Sequence, residues 1–220
     1  KCMELHIFNN GKALYYIANI IQSNREGVVT SGSLPAKEYK RLIVNHHDEV
    51  VYKEKGLKYW ANKSNRILVN NPEVHFHKPL RWFLGQKVIN GKVDSGATIS
   101  GTDDRTDIRI IEFDTGNIYI IEIKCLGKTE KSSREKSDDW ANTGLVQLNL
   151  YLNGEKFAKE GLLVLYDGRK DKQNVKFNWS NSIKWHFGLD RSPLQFYLES
   201  KSASVKAKKI YAKVKREKKK

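Results

Sequence analysis

Cysteine is scarce in this chain of 220 residues, which has only Cys2 and Cys125. Disulfide-dependent secreted domains are much richer in cysteine, and structural zinc sites carry it in closely spaced pairs, so neither kind of protein is indicated. Two distant cysteines are typical of free thiols in a reducing compartment. We therefore predict a cytoplasmic protein.

Long apolar runs are lacking as well. No stretch reaches the roughly 20 apolar residues of a membrane-spanning helix, and no secretory signal opens the chain. With 39% hydrophobic and 30% charged residues, the composition predicts a soluble globular protein with no membrane partner. Because the chain begins with Lys1-Cys2 rather than methionine, one alternative is a further domain before Lys1. A homodimer is a separate alternative.

Acidic residues are too few to balance the basic ones. The chain has 25 Asp and Glu against 40 Lys and Arg, which gives a net charge of +15. The excess is concentrated in residues 201–220, where ten Lys or Arg accompany one acid, Glu217. Such a tail is either a solvated helix end or an arm that grips phosphates regardless of sequence. The overall charge favours nucleic acid as the partner.

Helical spacing of apolar residues recurs in several segments. It predicts a helix over residues 36–61 and another that starts at Asn71-Pro72-Glu73, with Asn71 as its cap and Pro79 kinking or splitting it. Further helices are predicted over residues 140–153 and 202–220.

A β-hairpin is the clearest element of the sequence. Residues 106–113 alternate apolar and polar side chains, residues 114–117 suit a turn, and residues 118–126 are nearly all apolar. Residues 161–166 predict another buried strand, and residues 127–139 a polar, mobile loop. Residues 85–101 predict a loose turn or a short strand, and residues 177–187 another strand or a hairpin. The element order indicates a mixed α/β sandwich. We divide the chain into a helical or irregular region (1–70), a core (71–200) and a basic tail (201–220).

Three residues of this hairpin combine into a candidate site. Asp107 opens the first strand, while Glu122 and Lys124 lie two apart on the second and so point to one face. Glu122 interrupts an apolar run, and a buried charge needs a partner. Two carboxylates on adjacent strands can hold Mg²⁺, which activates water and neutralises phosphate, while Lys124 assists the water or the oxyanion. The simpler interpretation is a structural Glu–Lys pair near a strand end, facing solvent.

The order Asp107, Glu122-Ile123-Lys124, then a helix and a strand resembles the PD-(D/E)XK nuclease superfamily, over residues 71–168. Gln147 and Tyr151 match the Q-x-x-x-Y motif of its RecB-like members and share one helix face. The resemblance implies a restriction-endonuclease-like fold, a mixed β-sheet flanked by helices, and a Mg²⁺- or Mn²⁺-dependent phosphodiester hydrolase. It also implies that Gln147 and Tyr151 help to place the nucleic acid and the metal site.

The resemblance also implies an acid on the leading helix, for which we choose Glu73 as a third metal ligand. An acid favoured by the helix dipole explains Glu73 equally well, and Glu38, Glu49 and Glu54 are weaker candidates. The sequence departs from the family at Thr106, where proline is usual. Asp103 and Asp104 lie close by, and Asp104 is the alternative to Asp107.

Other polar residues allow both a functional and a structural interpretation. His46, His47, His75 and His77 suit metal binding or proton transfer but more often serve packing. Trp140 suits base stacking or the core. Arg105 and Arg109 suit phosphate contacts or a surface role.

We predict a metal-dependent nuclease that acts on DNA rather than RNA, as the RecB-like resemblance implies. Two alternatives remain: an RNA-cutting or ligand-activated nuclease of phage or CRISPR-associated defence, and a noncatalytic nucleic-acid-binding module. Whether cleavage is endo- or exonucleolytic stays open, because fold resemblance does not decide it.

Overall fold

The computed structural model describes residues 33–53, 57–96, 106–170 and 193–198. From Leu34 onward these residues belong to one compact unit. Several predictions fall outside the described residues: the strand or hairpin over 177–187, the helix and basic tail at the C-terminus, and the residues Cys2, Glu54, Asp103, Asp104 and Arg105.

The described helices are α1 (Tyr39–His46), α2 (Glu73–Lys87) and α3 (Asp138–Gly154). A 3-10 turn, Ala36–Glu38, leads into α1, and a π-helix, His47–Val51, continues it. None of the helices in these segments combines the length and apolar character needed to traverse a bilayer.

The predicted helix over residues 36–61 is wrong in its second half. The helical region ends at Val51, and Trp60 lies in a strand. Val50, Leu57 and Trp60 all pack against the core. Their spacing therefore reports burial, which an extended chain achieves here as well as a helix does.

The predicted helix after Asn71 forms, but Pro79 does not split it. α2 runs through Pro79 without interruption, because Phe76, Leu80, Phe83 and Leu84 on one face are buried in the core. Pro72 rather than Asn71 takes the N-cap position, and Asn71 has a φ of +49°. Asn71 contributes its backbone carbonyl, which accepts a hydrogen bond from the Val74 N–H at 3.2 Å.

Eight strands form one mixed sheet in the described part of the chain. They are β1 (Trp60–Asn62), β2 (Ile67–Leu68), β3 (Gly91–Asp94), β4 (Ile108–Glu112), β5 (Ile118–Thr129), β6 (Ser132–Lys136), β7 (Ala158–Asp167) and β8 (Leu194–Tyr197). The predicted α/β class, with a mixed sheet flanked by helices, is confirmed.

Strand β5 is the centre of this sheet. β3, β4 and β5 are antiparallel neighbours, whereas β5, β7 and β8 are parallel. α3 makes the connection between the parallel strands β5 and β7, as a parallel pair requires. β2 and β6 contact the last residues of β5, between Gly127 and Thr129, and β2 also pairs antiparallel with β1.

The predicted hairpin is confirmed by the antiparallel pairing of β4 with β5, and the predicted buried strand lies within β7. The predicted loop over residues 127–139 is wrong. β5 extends to Thr129, β6 folds back along it, and α3 begins at Asp138. β6 is held by backbone pairing, which needs no apolar alternation.

Both faces of β5 are covered. Tyr119, Ile121, Ile123 and Cys125 belong to a core shared with α1 and α2. Ile118, Ile120 and Leu126 belong to a second core, under α3. The intervening positions of the second row are Glu122 and Lys124, so these two charged residues lie on the α3 face of a strand buried on both sides.

An arginine at each end fixes α3 on the sheet. After β7, the Arg169 guanidinium donates to Asp167 at 2.7 Å and to Asp138, the first residue of α3, at 2.6 Å. On β4, Arg109 pairs with Glu155 beyond the other end of α3, at 2.8 Å. Arg109 thus shares a face with Asp107 but interacts with the far end of the helix.

Arg66 joins the β1–β2 hairpin to the ends of β7 and β8. Its side chain donates to the carbonyl oxygens of Gly168 at 2.9 Å and Leu198 at 2.8 Å. The guanidinium lies 4.5 Å from the ring centroid of Tyr197 and 5.4 Å from that of Trp60. Since Arg66 is only 9% exposed, these two hydrogen bonds are largely shielded from water.

We expect Arg66→Ala to lower the free energy of unfolding by about 2–4 kcal/mol, because it removes two buried hydrogen bonds and two cation–π contacts. Arg66→Lys should recover little of this, because an ammonium does not reproduce the planar fork of donors. Urea unfolding measures both changes. Arg81→Ala, at an exposed position of α2, is the control and should change stability by less than about 0.5 kcal/mol. An equally small effect of Arg66→Ala would contradict the role of Arg66 in joining the β1–β2 hairpin to β7 and β8.

Candidate functional site

The site lies where β4 and β5 stop pairing. The last facing pair is Ile108 with Ile121, and the next facing positions are Asp107 and Glu122. Residues that face each other across an antiparallel pair project to the same side of the sheet. Asp107 and Glu122 are therefore placed side by side, on the face that α3 covers.

Carboxylates take the place of the missing strand along this edge of β5. Asp107 Oδ2 accepts a hydrogen bond from the Ile123 N–H at 2.7 Å. Glu73 Oε1, at the start of α2, accepts one from the Cys125 N–H at 3.4 Å. Successive odd residues of β5 direct these N–H groups to the same edge, so the bonds draw Asp107 and Glu73 to it together.

Glu122 and Lys124 form a buried ion pair. The Lys124 ammonium donates to Glu122 Oε1 at 2.7 Å, and the two side chains are 9% and 4% exposed respectively. Burial on this scale makes the pair costly unless both charges are fully compensated. The structure thus confirms that both charges lie inside, not on a solvent-facing strand end.

A second ion pair, which the sequence did not reveal, completes the cluster. Lys136 on β6 donates to Glu73 Oε1 at 3.1 Å. The ammonium groups of Lys136 and Lys124 lie 4.2 and 5.2 Å from the ring centroid of Trp140. Trp140 is therefore a cation–π partner of two lysines. We name Glu73, Asp107 and Glu122 the acid cluster, and Lys124, Lys136 and Trp140 its basic rim.

The three carboxylates influence one another electrostatically. Burial raises the pKa of Glu122 to about 7, and the nearby charges of Asp107 and Glu73 act in the same direction against the stabilising Lys124. Burial also raises the pKa of Asp107, although the Ile123 N–H, His77 and Lys124 partly offset the rise. Such mutual repulsion is the signature of acids that share one site.

His77 lies next to this cluster. It is one helical turn after Glu73 on α2, on the same face, and its charge lowers the pKa of Asp107. Its Nε2 atom is buried and has no hydrogen-bond partner among the described residues. Ring nitrogens of His46 and His47 are also buried without a partner among the described residues, but His77 is the histidine beside the acids, where a ligand shared with them could satisfy it.

The other candidate residues lie either in the packed interior or on the surface. His46 is buried edge-on against Phe83, and His47 stacks on Phe196 at 4.1 Å. Burial lowers the pKa of both, to about 4 for His46. Glu49 is exposed. Cys125 is a free, buried thiol, as expected for a small core residue.

The two residues of the Q-x-x-x-Y motif lie on α3, as predicted, but differ in surroundings. Tyr151 is 6% exposed and belongs to the apolar cluster between α3 and the sheet. Gln147 is half-buried, one turn after Gly144. Their assigned roles in placing nucleic acid and metal stay a prediction.

Gly144 makes room for Lys124. A Cβ atom built at this position of α3 would lie 2.8 Å from Lys124 Cγ and 3.0 Å from Lys124 Cε. The Cγ atom is close to the backbone of β5, so it cannot move away freely. The absence of a side chain at 144 therefore allows Lys124 to reach Glu122.

The acid cluster is not assembled as a set of metal ligands. No group of three or more Asp, Glu, His or Cys side chains among the described residues is close enough to hold an ion as it stands. Each acid instead has its own donor: Ile123 for Asp107, Lys124 for Glu122 and Lys136 for Glu73. The carboxylates would have to leave these donors at least partly to share an ion.

Comparison with protein-family models, with curated proteins and with solved structures found no match for this chain.

We expect the stability of the protein to fall as the pH rises because of Glu122. Its pKa is 4.5 unfolded and about 7 folded, so the folded state binds this proton more tightly. The contribution is complete below about pH 4.5 and is lost as the pH passes 7. Glu122→Gln removes this pH-dependent contribution. As the pH rises from 4.5 to 7, the free energy of unfolding of the variant should therefore increase relative to that of the parent by on the order of 2–3 kcal/mol. Urea unfolding at several pH values tests this; a pH-independent difference would contradict it.

A matched pair of glycine substitutions tests the space reserved for Lys124. We expect Gly144→Ala to destabilise the protein by about 1–3 kcal/mol through overpacking. Gly85→Ala is the control, because a Cβ there meets nothing within 4 Å. In the last turn of α2 it should stabilise by up to about 0.5–1 kcal/mol, as alanine is the better helix former. Stabilisation by both changes, measured by urea unfolding, would show that Lys124 is not confined.

Proposed function

We propose that this chain is a metal-dependent nuclease in which Asp107, Glu122 and Lys124 act on a phosphodiester bond. The observation that carries this proposal is the ion pair of Glu122 and Lys124 on a strand covered on both faces, with Asp107 facing it. A buried ion pair adds little stability compared with apolar residues of the same size. The raised pKa of Glu122 shows that its charge is held at a cost, which a catalytic role explains.

The chemistry of the residues present suits a divalent cation, which they would hold once the carboxylates leave their internal donors. Asp107, Glu122 and Glu73 supply carboxylate oxygens, the ligands that Mg²⁺ and Mn²⁺ prefer. The buried Nε2 atom of His77, which lacks a partner among the described residues, is a further candidate donor that Mn²⁺ accepts more readily than Mg²⁺. Held by these residues, a cation would supply Lewis-acid chemistry: it would lower the pKa of water and neutralise phosphate charge.

The side chains around the acids have distinct roles in this proposal. The Lys124 ammonium would orient the attacking water or stabilise the negative charge that develops on the phosphate oxygens. Trp140 holds that ammonium at the rim of the site. Gly144 leaves the space that the lysine needs. Gln147 and Tyr151 on the same helix would support the placement of the nucleic acid.

We further propose that the fold is restriction-endonuclease-like. The antiparallel strands β3, β4 and β5, the crossing helix α3 and the parallel strand β7 support this, with the acids and lysine at the end of the central hairpin. DNA is the proposed substrate, in line with the RecB-like motif. The chain's net charge of +15 suits any nucleic acid.

Cleavage assays test the proposal directly. Circular and linear, single- and double-stranded DNA, and RNA, are incubated with the protein and Mg²⁺ or Mn²⁺. We expect metal-dependent cleavage of DNA, with the rate falling on the order of 10³-fold in Glu122→Gln and roughly 10²-fold in Lys124→Ala.

Controls on the same strand separate the site from general charge. Lys128→Ala at the end of β5 and Glu130→Gln in the turn that follows it alter exposed residues and should keep most of the activity. Cleavage of RNA in preference to DNA would favour the alternative of an RNA-cutting effector. Binding without cleavage, and equally strong without metal, would favour a noncatalytic binding module and would overturn the nuclease assignment.

A further inference from the structure

Two lysines neutralise the acid cluster, and they differ in how firmly they are held. Lys124 is 9% exposed and its partner Glu122 only 4%. Lys136 is 28% exposed and its partner Glu73 20%, with a longer separation of 3.1 Å. Solvent screens the second ion pair more strongly, so it is the weaker of the two and opens at lower cost.

The Trp140 ring is a second interaction partner for the Lys136 ammonium. The Lys136 ammonium already lies 4.2 Å from the ring centroid while it contacts Glu73. Leaving Glu73 therefore does not require the ammonium to abandon its cation–π contact. The lysine can exchange one partner while it keeps the other, and it stays beside Lys124, which lies over the same ring.

We propose that Lys136 is a positioning residue that neutralises Glu73 in the absence of a divalent ion and competes with the ion for that carboxylate. This rests on the proposed metal-dependent function. In addition to burial, the negative charge of Glu73, which repels Asp107 and Glu122, raises the pKa of both. The Lys136 ammonium partly neutralises that charge. Once displaced, Lys136 remains on Trp140 as a second cation at the rim, placed to contact a nucleic-acid phosphate.

Competition has a consequence that a purely structural ion pair would not have. Removing the Lys136 charge should strengthen binding of the divalent ion, because Glu73 no longer has an internal cation to give up. Removing a lysine that only supports the fold would leave ion binding unchanged or weaken it. The direction of the change therefore distinguishes the two roles.

Calorimetric titration with Mn²⁺, in the absence of nucleic acid, measures this direction. We expect Lys136→Met to bind Mn²⁺ roughly two- to tenfold more tightly than the parent chain at low salt. Lys136→Arg keeps the charge and should restore an affinity close to that of the parent. Lys128→Met removes the same charge from an exposed position of β5 and corrects for general electrostatics, with a change below twofold.

Intrinsic fluorescence gives a second measurement. Mg²⁺ should change the emission of the parent chain as Lys136 shifts from Glu73 towards the Trp140 ring. The change should disappear in Trp140→Phe and in Lys136→Met but persist in Lys128→Met. An identical response in the parent and in Lys136→Met would overturn the role of Lys136.

The outcomes separate this role from the function on which it rests. Mn²⁺ binding that is lost in Glu122→Gln but unchanged or weaker in Lys136→Met overturns the role of Lys136 alone and leaves the metal centre intact. Failure of the parent chain to bind Mn²⁺ at all overturns the metal-dependent function as well.

Discussion

Beyond Ile108 and Ile121, β4 no longer supplies acceptors for the backbone N–H groups of β5, and buried N–H groups need acceptors. Asp107 and Glu73 supply them, through Ile123 and Cys125. This requirement brings acids from a loop and from a helix to the same strand edge. The electrostatics of the site follow from it, because acids recruited as hydrogen-bond acceptors are also close enough to repel one another.

Charge compensation in the site is arranged in an alternating series. Glu73, Lys136, Trp140, Lys124 and Glu122 follow one another through an ion pair, two cation–π contacts and a second ion pair. Each member is held by its neighbours, so a change at one position redistributes contacts along the series. Such coupling predicts that substitutions within it are not additive.

The sequence predicted elements whose own residues carry the signal. Strand alternation and a turn between apolar runs identified β4 and β5, and with them Asp107, Glu122 and Lys124. The sequence did not reveal Lys136, because β6 is polar and its pairing with β5 leaves no apolar alternation to recognise. The pattern over residues 36–61 misled because burial of Trp60 from a strand has the same spacing as burial from a helix. The periodicity of a segment does not predict which distant segment it pairs with.

The attachment of α3 at both ends has a consequence for how this chain can vary. Arg169 holds Asp138 at its start and Arg109 holds Glu155 beyond its end. Inserting or deleting one residue inside the helix would rotate everything beyond it by about 100° and shift it by about 1.5 Å. One anchor would break, and Gly144 or Gln147 would leave its present orientation. The length of α3 is thus fixed by the sheet beneath it, and length variation should be confined to the connecting turns.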